Sequence, residues 1–261
     1  MKFYQIDSFT DEVFRGNPAA VCLVGGAWPL DCLMQSIAAE NNLSETAFVL
    51  DNGEKLAIRW FTPTTEVPLC GHATLAAAHV LFRHEGYSGG ELVFDSMNHR
   101  LVVREAAGGL LTLDFPVDTI CKVDFTPMLD CFNAVPIEAW RGTEEYMLVF
   151  ENQAQIENMQ CDFAKAAAID QAGIIVTARS TDADTDFVSR YFAPKIGIDE
   201  DPVTGSTHTM LMPYWSRVLG KNALNAKQLS KRGGRLFCEL DGDVLKISGT
   251  AVTYCVGELL L

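Results

Sequence analysis

Arg59-Trp60-Phe61-Thr62-Pro63 and Arg190-Tyr191-Phe192-Ala193-Pro194 are two versions of one phrase. Each is followed by a second matched pair, Pro68-Leu69-Cys70-Gly71 after the first and Pro202-Val203-Thr204-Gly205 after the second, and then by an apolar, helix-compatible stretch. Farther along, Arg100-Leu101-Val102-Val103 and Arg235-Leu236-Phe237-Cys238 each open a hairpin-like segment. The order is the same in both and the spacing drifts only slightly, so the chain reads as two homologous halves.

Around the first copy, alternation predicts strands over Lys2 to Asp7 and Lys55 to Thr62, and short apolar runs predict strands over Ala19 to Val24 and Ala47 to Leu50. Leu30 to Glu40 has helical spacing. Gly71 opens a helix through Ala73, Leu75, Ala77, Val80 and Leu81 to a stop near Gly86, apolar around nearly its whole circumference. Such a helix is surrounded by structure rather than laid on a surface, which predicts a sheet curled around it. Glu91 to Phe94, Arg100 to Glu105 and Leu110 to Phe115 complete that sheet. The second half repeats the plan: strands near Gly173 to Thr177 and Phe187 to Phe192, a helix from about Ser206 to Leu219 with Pro213 inside it, and closing strands over Arg235 to Leu240, Leu245 to Ile247 and Val252 to Leu259. Residues 117–166 show no clear period, and some of them must cross between halves. The expected architecture is α/β (α+β). An N-terminal half spans 1–116 and a C-terminal half with the crossover segment spans 117–261, each a curled, mostly antiparallel sheet around a central helix, with the active site in the cleft between them.

With 261 residues, 48% of them hydrophobic and 21% charged, the chain has the profile of a folded protein. Its net charge of −14 argues against nucleic acid as a partner, since displacing counterions needs a basic footprint. The eight cysteines form no C-x-x-C pair, and several lie inside apolar runs. They read as free thiols in a reducing compartment. With no signal pattern at the N-terminus and no membrane-length apolar stretch, the expectation is a cytoplasmic protein without a membrane partner.

The glycine turns are the first candidates for chemistry. A helix N-terminus carries unpaired N–H groups and partial positive charge, and glycine lets a ligand approach the backbone, so Gly71 and Gly205 suit the carboxylate of a small acid. Read structurally, they only permit the strand-to-helix turn. Glu45, just before an apolar strand, could exchange a proton near neutrality if partly dry; alone, it is one more glutamate at a strand start. His72 falls in the first turn of the helix and could give or accept a hydrogen bond, or merely be satisfied in the core. Asp201 precedes the second turn, where it could cap the turn or face the cleft, and Ser206 and Thr74 are possible caps. Cys70 raises the possibility of a racemase working with a pair of thiols, but the equivalent position holds Thr204, which disfavours it. Cys70-x-His72 hints at a metal, yet the sequence shows no partner cluster, and no metal is expected. No nucleotide or hydrolase motif is present.

Taken together, Gly16-Asn17-Pro18-Ala19-Ala20-Val21, Leu43-Ser44-Glu45-Thr46-Ala47-Phe48, Leu69-Cys70-Gly71-His72-Ala73-Thr74 and Asp201-Pro202-Val203-Thr204-Gly205-Ser206 resemble the PhzF-like proteins of phenazine biosynthesis, in the right order across essentially the whole chain. The resemblance implies the fold of diaminopimelate epimerase and proline racemase and a homodimer. It also implies a cofactor-independent isomerase of the kind that moves a proton along trans-2,3-dihydro-3-hydroxyanthranilate. By position it makes Glu45 the general acid/base, has His72 and Asp201 orient the substrate and assist the proton, and gives the carboxylate to Gly71, Gly205 and Ser206, with Asn17 as a further cleft residue. The expected partner is a small carboxylic acid. Two rivals stand beside this: a racemase or epimerase pairing Glu45 with Asp201, His72 or Cys70, and a binding protein that kept the site without turnover.

Overall fold

The computed structural model describes residues 1–53 and 55–261. By contacts the chain divides into unit 1, Met1–Asp114 with Ser248–Leu261, and unit 2, Phe115–Ile247.

Unit 1 begins β1 (Lys2–Ser8), β2 (Asn17–Gly25), α1 (Asp31–Asn41), β3 (Glu45–Asp51), β4 (Leu56–Phe61) and β5 (Glu66–Val67), and continues α2 (Gly71–Arg83), β6 (Glu91–Asp95), β7 (Arg100–Glu105) and β8 (Leu111–Pro116). β1 and β2 are antiparallel, β2 and β3 parallel, and β3 and β4 antiparallel. The edge of β4 is shared by antiparallel β5 and parallel β6, and β6, β7 and β8 follow antiparallel. α2 packs against β1, β2, β3 and β7. Ala73, Leu75, Ala76, Ala77, Ala78 and Val80 are wholly buried, as its nearly continuous apolar surface requires. The alanines keep the cylinder thin enough for strands to close in on several sides.

Unit 2 comprises β9 (Cys121–Val123), β10 (Glu138–Arg141), β11 (Glu145–Val149), α3 (Gln153–Glu157), α4 (Phe163–Ala167), β12 (Gly173–Arg179), β13 (Phe187–Ala193) and β14 (Ile198–Asp201), then α5 (His208–Leu219), β15 (Ala223–Gln228) and β16 (Gly234–Asp241). Its pairing repeats that of unit 1 strand for strand. β10 and β11 are antiparallel, β11 and β12 parallel, β12 and β13 antiparallel. The edge of β13 is shared by antiparallel β14 and parallel β15, and β16 follows antiparallel. Pro213 lies inside α5. Having no N–H, it leaves the Thr209 carbonyl free, and the Asp118 amide donates to that oxygen at 3.2 Å. Two further strands close the chain, β17 (Val244–Gly249) and β18 (Ala251–Glu258).

The structure differs from the sequence reading in places. β18 pairs with β1, so Ser248–Leu261 joins unit 1 rather than the C-terminal half expected over 117–261. β9, β10, β11, α3 and α4 fill the stretch with no readable period. α5 starts at His208 and not Ser206, because Gly205 to Thr207 form a tight turn closed by His208 N–H to Gly205 and Thr209 N–H to Ser206 bonds of 3.0 Å each.

The repeated arginine has one job in both units. Arg59 grips Glu66 through two bonds of 2.7 and 2.8 Å and stacks 5.2 Å over Phe61. Arg190 grips Glu200 through two of 2.6 and 3.0 Å and stacks 5.0 Å over Phe192. Paired, fork-shaped contacts of this kind fix geometry as well as charge. They pin β5 to β4 and β14 to β13, the short strands that deliver the two glycine turns.

Candidate active site

In unit 1 the start of β3 and the start of α2 bring Glu45, Cys70 and His72 together. Glu45 is the first residue of β3, in parallel register with Ala19. Cys70 is the N-cap of α2, and His72 lies in its first turn. The side chains of His72 and Glu45 are 8% and 13% exposed, and their Nε2 and Oε2 stand 3.1 Å apart. The two atoms are not aligned as a hydrogen bond, and neither has a hydrogen-bond partner among the described residues. On the other edge of the ring, Nδ1 lies 3.5 Å from the Cys70 sulfur and 3.4 Å from Asn17 Nδ2. The Ser44 hydroxyl donates to Asn17 Oδ1 at 3.1 Å, which orients that amide with its NH2 toward the ring. In the neutral imidazole, Nδ1 is therefore the acceptor and Nε2 carries the proton toward Glu45, an assignment made from the network. The Ser8 hydroxyl holds the His72 carbonyl at 2.9 Å, and Thr74 holds that of Cys70 at 2.6 Å.

Burial alone would push the His72 imidazole down, but Cys70 and Glu45 outweigh it and hold it well above its ordinary range. Burial first, and then Glu45, push the Cys70 thiol up. Raised in this way, Cys70 holds its proton around pH 7. A carboxylate and an imidazole at 3.1 Å in a nearly dry setting can share, lend and recover one proton.

The three residues each offer a ligand atom within 4.8 Å of the others, so Glu45 supplies the third group that Cys70-x-His72 lacked in sequence. The fit to an ion is poor. Glu45 and Cys70 approach opposite nitrogens of one ring, whereas a tetrahedral ion at about 2.0–2.3 Å from its ligands would take only one of them.

In unit 2 the corresponding turn carries Asp201, Thr204, Gly205 and Ser206. Asp201 ends β14 and is 8% exposed, and its carboxylate accepts from the Thr204 hydroxyl. Gln228, 1% exposed on β15, ties the turn together. Its Nε2 donates to the Asp201 carbonyl at 2.8 Å and its Oε1 accepts the Thr204 N–H at 2.8 Å. The imidazole of fully buried His208 donates through Nδ1 to the Thr204 carbonyl at 3.1 Å, and burial pushes it down to about 4.

Asn17, Glu45, Gly71 and His72, read separately in the sequence, are brought together in unit 1; Asp201, Gly205 and Ser206 are brought together in unit 2. Gln228 and His208 were not singled out beforehand. Gln228 lies far beyond the turn it braces, and its pattern is that of any polar strand residue.

Each unit thus carries a short strand, a glycine turn and a buried helix in the same order, with a carboxylate and an imidazole close together at the turn of unit 1, on the plan of the diaminopimelate epimerase-like fold. Known proteins agree. Residues 6–257 match the family model of the phenazine biosynthesis-like proteins, PhzC-PhzF, and the chain belongs to that family. It is 45% identical over 262 residues to a protein of Pseudomonas aeruginosa named an uncharacterized isomerase, covering 100% of this chain and 99% of that one. The crystal structure of a PhzF family protein from Enterococcus faecalis superposes with a TM-score of 0.93 at 40% identity, covering 100% of each chain. A hydroxyproline epimerase from Agrobacterium vitis, at 10% identity, shares the fold with a TM-score of 0.59, covering 98% of this chain and 91% of that one.

Proposed function

We propose that the protein is a cofactor-independent isomerase that moves a proton within a small carboxylic acid, with Glu45 as general acid/base. The observation that carries this reading is the Glu45–His72 pair at 3.1 Å, with side chains 13% and 8% exposed. In the proposed step, the Glu45 carboxylate takes a proton from a carbon of the substrate and returns it at another carbon, leaving the carboxylate as it began. His72, 3.1 Å from Glu45, steadies the developing negative charge. Asn17 sets the ring of His72 and the amides opening α2 at Gly71 attract a carboxylate, while Asp201, Gly205 and Ser206 are substrate-binding residues on the strength of the family resemblance.

The neutral Cys70 thiol supports one base over two. A thiol held up by burial and by Glu45 is a poor proton acceptor near pH 7, and Thr204 offers none at the equivalent turn. A homodimer in the cytoplasm belongs to the same proposal, carried by the resemblance to the PhzF-like proteins; sedimentation velocity would read the assembly directly. The functional test is turnover of trans-2,3-dihydro-3-hydroxyanthranilate and of a panel of cyclic and α-amino acids, wild type beside Glu45→Gln. The proposal expects isomerisation of at least one of these acids that Glu45→Gln abolishes. Full turnover by the variant would sink it.

A further inference from the structure

Every polar group of Thr204 is engaged. Its N–H donates to Gln228 Oε1 at 2.8 Å, and its carbonyl accepts from the Thr207 hydroxyl at 2.8 Å and from His208 Nδ1 at 3.1 Å. Its hydroxyl donates to Asp201 Oδ2. The carbonyls just before it are held too, that of Asp201 by Gln228 Nε2 at 2.8 Å and that of Pro202 by the Ser230 hydroxyl at 2.7 Å. The end of β15 and the residues after it thus tie the Asp201 turn down along one side.

The direction of each bond is forced. A backbone N–H only donates and a backbone carbonyl only accepts, so the Thr204 amide fixes Gln228 Oε1 and the Asp201 carbonyl fixes Nε2. Nε2 also lies 3.2 Å from the Thr204 hydroxyl oxygen. That oxygen accepts from Gln228, and its one proton goes to Asp201 Oδ2. The chain therefore runs one way, from the Gln228 amide through the Thr204 hydroxyl to the Asp201 carboxylate. Gln228 is 1% exposed, so its amide has little access to water as an alternative partner.

The matching place in unit 1 is used differently. Phe61 opposite Thr46 matches Phe192 opposite Ile174, which sets Glu45 against Gly173. By the same register Ala57, opposite Asp95, matches Val188, opposite Lys227. The residue after Asp95 is Ser96, and the residue after Lys227 is Gln228. β6 stops at Asp95, and the Ser96 hydroxyl donates at 2.9 Å to the His99 carbonyl of its own turn, whereas β15 runs on to Gln228. The directed chain is thus something unit 2 has added to the shared scaffold.

We propose that Gln228 is a positioning residue of the isomerase: by aiming the Thr204 hydroxyl it fixes the Asp201 carboxylate as an oriented hydrogen-bond acceptor for the substrate. This rests on the reading of Asp201 as a substrate-binding residue. A carboxylate already set in its working rotamer has less freedom to lose on binding, so the gain falls on substrate affinity and not on proton transfer at Glu45.

The first arm of the test needs no substrate. The Thr204 hydroxyl proton is followed by low-temperature proton NMR in wild type, Gln228→Met, Gln228→Glu and Thr204→Ser. Wild type should show a protected resonance, Thr204→Ser should keep it, and Gln228→Met should speed its exchange by about 10-fold or more. Gln228→Glu keeps an acceptor for the Thr204 amide but, ionised, has no donor, so it should also speed exchange; it carries the test if Gln228→Met does not fold. An unprotected hydroxyl proton in wild type, or exchange unchanged in the Gln228 variants, overturns the proposal. The second arm is steady-state kinetics on an accepted acid. Gln228→Met should raise KM by about 10-fold with kcat little changed, and should add nothing in an Asp201→Asn background. If Asp201→Asn raises KM and Gln228→Met does not, the proposal falls while the reading of Asp201 stands. If Asp201→Asn leaves KM unchanged, that reading fails and takes the proposal with it, even with the hydroxyl proton protected as expected.

Discussion

Units 1 and 2 share a pairing diagram, an arginine fork and a glycine turn, and differ in nearly every polar group at the turn. At equivalent positions unit 1 has Glu45, Cys70 and His72 where unit 2 has Gly173, Thr204 and Ser206. Unit 1 thus concentrates its titrating groups around one imidazole. Unit 2 holds Asp201 by neutral donors, the Thr204 hydroxyl to its carboxylate and the Gln228 amide to its backbone carbonyl. A duplicated scaffold has kept what positions the turns and let the chemistry diverge.

The largest expected effect breaks this comparison at its chemical end. Glu45→Gln should lower turnover by about 10²–10⁴-fold, the span of a general acid/base, while Thr204→Val should leave most of it; steady-state kinetics on an accepted acid would check both. Next come the two central helices. Leu75 in α2 and Leu211 in α5 are both wholly buried, and Leu→Ala at either should cost about 2–5 kcal/mol in urea unfolding. A loss confined to one of them would show that the halves do not share a packing plan.

The pH dependences have opposite signs within unit 2. Unfolded His208 takes a proton near its ordinary value, the folded one only near 4, so the unfolded state gains protons in between. Stability falls as pH drops through that window, by about 3 kcal/mol, and His208→Phe should flatten the slope. Glu145 runs the other way. Folded, it keeps its proton to about 7, so its contribution is complete at low pH and lost as pH rises through 7. Glu145→Gln should therefore stabilise the protein at pH 8, by about 1–3 kcal/mol in denaturant titrations. The smallest effect is at Ser189, buried with no partner for its hydroxyl among the described residues: Ser189→Ala should change stability by less than about 0.5 kcal/mol.

The repeat of Arg59 to Gly71 in Arg190 to Gly205 made the two halves legible, because an ion-paired arginine, an aromatic and a turn glycine leave a local imprint. The all-apolar α2 announced its own burial for the same reason. Residues 117–166 were opaque since their strands are short and their helices run over a single turn or so, too brief for a period to register. β18 was visible as a strand, but its partner β1 lies at the other end of the chain, and no local pattern encodes that choice. At the site, Glu45 and His72 each stood out only weakly. Their meaning is the 3.1 Å between them, a relation between β3 and α2 that no single stretch contains. Gln228 matters for the same kind of reason, through the turn it braces.

The most direct measurement of the central claim is the fate of solvent deuterium. Wild type and Glu45→Gln would be incubated in deuterated water with trans-2,3-dihydro-3-hydroxyanthranilate and the amino-acid panel, and followed by proton NMR. The account predicts that wild type isomerises one of these acids, with any deuterium confined to the one carbon that receives its proton from Glu45, and that Glu45→Gln forms no product. Equal product and equal labelling by the variant would contradict it.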